Sequence, residues 1–142
     1  MAATKQFCTF YLDNLYFGID VDSVQEVLRY EEMTPVPLAC REISGLINLR
    51  GLIVPAIDLR KRLGYSDLPE GEHPMNVVCK INNEPVSLLV DRIGDVIDVE
   101  EDLFEDAPET VVGRAREVIV GIYKLPETLL LYLDQEKVLE DL

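Results

Sequence analysis

The stretch Leu12–Leu28 (LDNLYFGIDVDSVQEVL) decides the fold prediction, because it recurs without a gap 69 positions later as Ile81–Ile97 (INNEPVSLLVDRIGDVI). At an offset of 76 positions, Gly45–Leu63 (GLINLRGLIVPAIDLRKRL) lies over Gly121–Leu139 (GIYKLPETLLLYLDQEKVL). The first alignment retains the identical pairs Asn14/Asn83, Val21/Val90, Asp22/Asp91 and Val27/Val96. The repeat units 12–28/81–97 and 45–63/121–139 therefore predict two related β-rich halves.

The repeat is broken at one place. In the second alignment, Arg50-Gly51 lies over Pro126-Glu127. Whatever folding requires should recur in both copies, so a feature that only one copy carries is where we look first for function.

The length of the chain favours one shared core. It has 142 residues, and a half of roughly 60–70 residues would have only a marginal core of its own. Many short strands with few helices predict a mainly β fold of two small β-barrels. We expect residues 1–142 to form a single domain, and exchange of strands between the halves is left open.

The predicted strands form two hairpins and two further strand pairs. Turn signals at Asp13-Asn14 and at Asn82-Asn83-Glu84 mark the hairpins. In chain order, the predicted strands are Phe7–Leu12, Leu15–Ile19, Ile43–Leu49, Leu52–Leu59, Met75–Ile81, Pro85–Val90, Val118–Tyr123 and Thr128–Leu133.

Aspartates at candidate N-caps predict the helices. Asp58 is expected to cap a helix over 59–63 that Gly64 ends, and Asp134 a C-terminal helix over 135–142. Asp20 or Asp22 is expected to cap a short helical turn through Val21, Val24 and Val27, which Asp91–Val96 echoes. An acidic loop is predicted over 99–116.

Composition excludes several classes of partner. A net charge of −14 argues against nucleic acid and anionic membranes, which attract clustered Lys and Arg. The chain begins without a signal-peptide pattern and contains no apolar run of about 18 residues. Cys8, Cys40 and Cys79 are widely spaced without a C-x-x-C pair, which suits reduced thiols in a cytoplasmic protein.

Motifs for catalysis, cofactors and metals are not found in the sequence. His73 is the single histidine, and no nucleotide-binding glycine motif is present. Asp20, Asp22, Asp58 and Asp91 suggest paired catalytic carboxylates, but recurrence in the repeat favours capping. We therefore expect no enzyme activity, no cofactor and no metal.

Arg50 offers a planar fork of donors that suits a carboxylate partner. Glu26 is the partner we expect. Two interpretations stay open and are compatible: a structural salt bridge across the end of a barrel, and a polar anchor at a protein-binding groove.

Val24, Val27 and Val96 form an apolar set beside the matched helical turns. One interpretation is core packing between the halves. The other is a groove at the seam, open enough to hold the helical tip of a partner.

The run Ile43–Leu59 (ISGLINLRGLIVPAIDL) resembles the signature of CheW-type chemotaxis coupling proteins. Tyr16–Asp20 (YFGID), Val24–Val27 (VQEV) and Leu89–Val96 (LVDRIGDV) match the other blocks of that family in the same order. The resemblance covers the chain from about Gln6 to Leu139. Departures are Ser87, where the family often has Gly, and a strongly acidic start to the loop 105–116.

The resemblance implies two SH3-like, five-stranded β-barrels that share an apolar interface. It also implies a non-enzymatic cytoplasmic adaptor that couples the tip of methyl-accepting chemoreceptors to the regulatory domain of a CheA-type histidine kinase. Carried over, the receptor-binding groove comprises Val24, Glu26, Val27, Arg50, Gly51 and Val96. The kinase-binding residues are placed at Asn76, Val77, Val78, Ser87 and Leu88.

Two alternatives remain from the sequence. One is an adaptor of the same family in a non-flagellar pathway, such as twitching, surface sensing or development. The other is a β-barrel that binds a small ligand, for which a deep closed cavity would be the sign.

Overall fold

A computed structural model describes residues 3–109, 111 and 113–140, and it is mainly β. The strands are β1 (Thr4–Leu12), β2 (Leu15–Asp20), β3 (Val24–Leu28), β4 (Ile43–Leu49), β5 (Leu52–Asp58), β6 (Met75–Ile81), β7 (Glu84–Val90), β8 (Arg92–Glu100), β9 (Phe104–Glu105), β10 (Ile119–Lys124) and β11 (Leu129–Leu133). The helices are α1 (Leu59–Leu63), α2 (Arg114–Val118) and α3 (Gln135–Val138), with short 3-10 helices at Val21–Ser23 and Glu101–Leu103.

The strands form two sheets with corresponding strand orders. One sheet runs β8-β1-β2-β11-β10-β9, and the other runs β3-β6-β7-β5-β4. Each sheet combines a hairpin from one half of the chain with strands from the other half. The prediction of a mainly β fold with two related strand assemblies is confirmed. One sheet gains a short sixth strand, and among the described residues the pairing closes neither sheet into a ring.

The two hairpins have the same register. Leu12 pairs with Leu15 and Thr9 with Gly18 in the first hairpin. Ile81 pairs with Glu84 and Val78 with Ser87 in the second. Both turns have two residues, each with positive φ, as type I′ turns require. Glu84, which the sequence placed in the second turn, is the first residue of β7.

A single main cluster of buried side chains joins the two sheets. Phe10 and Phe17 of the first hairpin stack with their ring centroids 5.7 Å apart, and Val77 and Leu88 of the second hairpin belong to the same cluster. A smaller cluster inside the six-stranded sheet contains Phe7, Val99, Tyr123 and Leu130. Full burial of each such side chain contributes about 1.5–3 kcal/mol, so the shared core holds the halves together.

The predicted helical turns on either side of the seam are corrected. Only Val21–Ser23 is helical, and its Asp20 makes no side-chain cap. Val24 and Val27 lie in β3, and residues 92–96 lie in β8. Each of these segments pairs with the hairpin of the other half. That long-range pairing outweighs the local preference for a helix.

The two predicted capping aspartates at α1 and α3 are confirmed. Asp58 Oδ1 accepts a hydrogen bond from the Lys61 amide at 3.2 Å, and Gly64 ends α1 with φ 84°. Asp134 Oδ1 accepts from the Glu136 amide at 3.0 Å. Helix α3 ends at Val138, and residues 141–142 of the predicted helix lie outside the described residues. The predicted acidic loop over 99–116 includes the end of β8, the 3-10 helix at Glu101–Leu103, β9 and the start of α2.

Candidate protein-binding surface

Strands β3 and β8 are the outer strands at corresponding edges of the two sheets. Val27 of β3 pairs with Val77, and Val96 of β8 pairs with Cys8. Val27 is 44% exposed and Val96 is 54% exposed, whereas Val24 packs against the main core. The core interpretation therefore holds for Val24, and the other two valines present apolar surface to solvent.

Arg50 lies in the tight turn between β4 and β5. Arg50 and Gly51 have φ values of 51° and 87°, a conformation that Gly adopts without strain and that Asn48 supports by accepting a hydrogen bond from the Gly51 amide at 3.0 Å. The repeat replaces this pair by Pro126-Glu127. Because proline fixes φ near −65°, Pro126 cannot adopt the positive φ of Arg50.

The expected ion pair is present: Arg50 Nη2 donates a hydrogen bond to Glu26 Oε1. It joins edge strand β3 to the turn that follows β4, the strand at the opposite edge of the same sheet. The Arg50 side chain is 71% exposed. Because of this exposure, most of the guanidinium remains available to a partner. Exposed pairs of this kind contribute only roughly 0.2–1 kcal/mol to stability.

Two apolar residues beside Arg50 were missed from the sequence. Leu52 and Ile53 begin β5, and both are exposed. Successive side chains of a strand point to opposite faces of the sheet. When two apolar residues directly follow a tight turn, at least one of them is therefore expected on the face away from the core. An apolar patch with a charged rim is typical of protein interfaces.

The residues expected to bind a kinase are buried. They lie on β6 and β7, in the middle of the five-stranded sheet, and comprise Asn76, Val77, Val78, Ser87 and Leu88. Their side chains are enclosed within the protein in this structure, and their role in kinase binding stays a prediction. Ser87 Oγ donates to Asn76 Oδ1 at 2.7 Å, and Asn76 Nδ2 donates to the Arg29 carbonyl at 3.0 Å.

Three of the four candidate catalytic carboxylates, Asp20, Asp58 and Asp91, have structural partners, and Asp22 is exposed. Asp91 does not cap a helix: it accepts from Arg60 Nε at 2.7 Å and from Arg60 Nη2 at 2.6 Å. Burial raises the pKa of the Asp91 carboxyl, but the hydrogen bonds from Arg60 and from the Asp13 amide outweigh that effect and lower it. Asp20 accepts from the Tyr132 hydroxyl at 2.9 Å and pairs with Lys5 at 3.1 Å.

The remaining titratable candidates are also accounted for. His73 stacks on Tyr30 with 4.4 Å between ring centroids. Burial raises the pKa of the Cys79 thiol to about 12, and it also raises the pKa of Cys8, so both thiols are protonated and poorly nucleophilic at neutral pH. Within residues 3–109, 111 and 113–140, no group of three His, Cys, Asp or Glu side chains is placed to hold a metal ion.

The larger cavities lie away from Arg50. A polar cavity of about 650 Å³ surrounds Arg60, Asp91 and the connector residues 66–73. An apolar cavity of about 680 Å³ lies between α1, α2 and strands β2 and β11. Both are open to solvent, unlike the deep closed cavity that a ligand-binding barrel would show.

Two sheets that share a core and leave apolar residues exposed beside an arginine have the features typical of a β-sheet module that binds other proteins. Residues 6–142 match the family model described as a CheW-like domain. The chain belongs to the CheW-like domain family. No helix in the described part of the chain is long and apolar enough to span a membrane.

Known relatives agree with this assignment. The chain is 34% identical to the chemotaxis protein CheW of Klebsiella aerogenes, over 95% of this chain and 81% of that protein. It is 31% identical to the CheW of Thermotoga maritima, over 99% and 92% of the two chains. The crystal structure of the scaffolding protein TtCheW from Thermoanaerobacter tengcongensis matches with a TM-score of 0.86 and 28% identity, covering 99% of this chain and 94% of that one. Together these similarities support a scaffold or adaptor role in chemotaxis.

Proposed function

We propose that this chain couples methyl-accepting chemoreceptors to a CheA-type histidine kinase by binding both. The single observation that carries the receptor side is Arg50. It breaks the internal repeat, is held by Glu26, and leaves most of its guanidinium exposed beside apolar residues. The mechanism is binding alone: the adaptor fixes the two partners relative to each other, and a change in the receptor reaches the kinase as a change in that geometry.

The proposed receptor site uses Val27, Val96 and the Arg50–Glu26 pair, with Val24 supporting β3 from the core. A receptor tip is an α-helical hairpin, and a helix lays an apolar stripe into such a surface. The free donors of Arg50 suit a carboxylate at the edge of that stripe. Gly51 contributes the turn that directs Arg50 toward β3.

The kinase side of the proposal rests on the family resemblance. The side chains expected to bind the kinase are buried on β6 and β7, so we expect them to act on kinase binding indirectly. Recruitment to receptor clusters in the cytoplasm then follows from the two binding reactions.

Calorimetric titration tests the receptor side. The titrants are the cytoplasmic hairpin of a methyl-accepting receptor and the regulatory domain of a CheA-type kinase, both from the genome that encodes this chain. We expect Arg50→Ala and Val27→Glu to weaken receptor binding about tenfold or more, as for truncation of an interface hot spot. Both variants should keep wild-type kinase affinity and lose no more than about 1 kcal/mol of stability.

The matched control is Val120→Glu, because Val120 is a strand valine that is 42% exposed on β10. It should bind the receptor like wild type. A large loss of melting temperature in Arg50→Ala with unchanged receptor affinity would refute the site. If wild type binds the kinase domain but no flagellar receptor, a receptor from a non-flagellar pathway replaces it as the partner. If wild type binds neither protein, the coupling role is wrong and a small-ligand role gains support.

A further inference from the structure

Edge strand β3 is held at its C-terminal end differently from its repeat equivalent, β8. Strand β8 continues beyond Val96 and pairs along β1 as far as Glu100 opposite Thr4. Strand β3 stops where Leu28 pairs with Asn76. The residue that would extend β6 is Pro74, and proline has no N–H for a ladder hydrogen bond.

Beyond the last backbone pair of β3, a side chain of β6 supplies the next hydrogen bond. Asn76 Nδ2 donates to the carbonyl of Arg29, the residue directly after β3, at 3.0 Å. Ser87 Oγ donates to Asn76 Oδ1 at 2.7 Å, which orients the amide. Both side chains are buried, and the described side chains include no buried polar atom without a partner.

The repeat shows that folding does not require polar groups at these positions. The equivalents of Asn76 and Ser87 in the other half are Phe7 and Gly18. A Cβ on Gly18 would lie 3.2 Å from the Cβ of Phe7 and 3.1 Å from Leu130, so that pair is a close apolar contact. Burying a polar pair costs free energy unless each group is hydrogen-bonded. Here Ser87 donates to Asn76, and Asn76 donates to the Arg29 carbonyl at the end of β3.

We propose that Asn76 and Ser87 are positioning residues for β3, the strand that carries Glu26 and Val27. By holding the Arg29 carbonyl, they set where Glu26 meets Arg50 and how Val27 faces a partner. This inference rests on the proposed receptor site, because it assigns these residues an effect on receptor binding without contact.

The test is the double variant Asn76→Leu/Ser87→Ala. The variant removes both partners of the Ser87–Asn76 bond, which is often nearly neutral for stability. It also removes the donor to the Arg29 carbonyl, but Arg29 is exposed and water can replace that donor, so the fold should persist. We expect amide hydrogens of residues 24–30 to exchange about tenfold faster in the free protein, which is the effect of losing about one hydrogen bond. Amides of β1 and β2 should keep wild-type rates.

Receptor binding is the second measurement. The double variant should bind the receptor hairpin about tenfold more weakly, as one lost positioning hydrogen bond predicts. Ser87→Ala alone retains the Asn76 amide and should lie between wild type and the double variant. Leu130→Ala, which opens the core of the other sheet, should lower the melting temperature without selective exchange in β3.

The outcomes separate this inference from the proposed function. Wild-type exchange in residues 24–30 of the double variant overturns the positioning role, as does a uniform increase across all strands. Faster exchange confined to β3 with unchanged receptor affinity also overturns it, because β3 would then not limit binding. If wild type does not bind the receptor at all, the proposed function fails, and the exchange data alone decide whether Asn76 holds β3.

Discussion

Replacing Asp91 by Asn should destabilise the fold far more than the same change at Asp22, its equivalent in the repeat. Asp91 receives two hydrogen bonds from Arg60, at 2.6 and 2.7 Å, and one from the Asp13 amide at 2.8 Å. The Arg60 side chain is only 11% exposed. Asp22 is exposed and has no arginine partner among the described side chains. The identical residue therefore has two different roles in the two halves.

The magnitude follows from the charge that is left behind. Breaking a buried ion pair by removing one partner costs about 3–5 kcal/mol. Asp91 is 19% exposed and Asn keeps one acceptor oxygen, so a loss of roughly 2–3 kcal/mol is expected, in the range for hydrogen bonds to charged groups. For a chain of this size that corresponds to a fall in melting temperature of roughly 6–12 °C. Asp22→Asn should remain within about 0.5 kcal/mol of wild type.

Urea unfolding of wild type and both variants, repeated from pH 7 down to pH 3, measures this difference. The folded-state pKa of Asp91 is lowered, so its stabilising effect is present above the unfolded-state value of about 3.9 and is lost as the pH falls through the folded-state pKa. The difference between wild type and Asp91→Asn should therefore shrink in acid. Equal stabilities for Asp91→Asn and Asp22→Asn at pH 7 would refute the reasoning. So would a difference that stays constant down to pH 3.

Two further substitutions test close contacts between distant segments. A Cβ added at Gly45 would lie 2.7 Å from the Thr34 carbonyl oxygen, so Gly45→Ala should cost about 1–3 kcal/mol; a melting temperature equal to wild type would contradict this. The buried Arg62 donates to the Val138 carbonyl at 2.8 Å, so Arg62→Met should cost about 1–3 kcal/mol through the unpaired acceptor. Hydrogen exchange should show the loss first in α3, and uniform loss across the chain would contradict that assignment.

The features that the sequence predicts correctly are local. The Asp13-Asn14 turn and the caps at Asp58 and Asp134 depend on residues within a few positions of one another. The Arg50–Glu26 pair is an exception, because it joins segments 24 residues apart. It could be predicted because the repeat is broken at Arg50 while an acid recurs at Glu26 and Asp95.

The helical turns through Val24 and over 91–96 could not be excluded from the sequence. Val21, Val24 and Val27 follow a helical spacing after a capping residue. Their actual structure depends on a hairpin contributed by the other half of the chain. Helical spacing along the chain does not reveal a partner strand that lies about 50 residues away for β3 and more than 80 residues away for β8, so the spacing favours the local helix.

The burial of Asn76 and Ser87 was missed for a related reason. Strands β6 and β7 are central in their sheet and covered on both faces, so their polar residues do not mark a solvent face. A buried polar residue then looks like an exposed one in the sequence. The repeat contains a signal of this burial, because Asn76 aligns with Phe7 and Ser87 aligns with Gly18. Positions that are apolar in one copy are expected to be buried in both.

The two departures from the repeat act on the same strand. Arg50 stands at the position that Pro126 occupies in the other half, and it pairs with Glu26 in β3. Asn76 stands at the position of Phe7, and its amide donates a hydrogen bond to the carbonyl of Arg29, the residue after β3. The corresponding strand β8 has neither support and is instead extended by ladder pairing with β1. Strand β3 pairs with β6 only over Val24–Leu28, whereas β8 pairs with β1 from Arg92 to Glu100 across one register shift. The shorter ladder costs less to displace, because each hydrogen bond contributes only about 1 kcal/mol. Of the two edge strands proposed to meet the receptor, β3 is therefore the one that we expect to be displaced more easily.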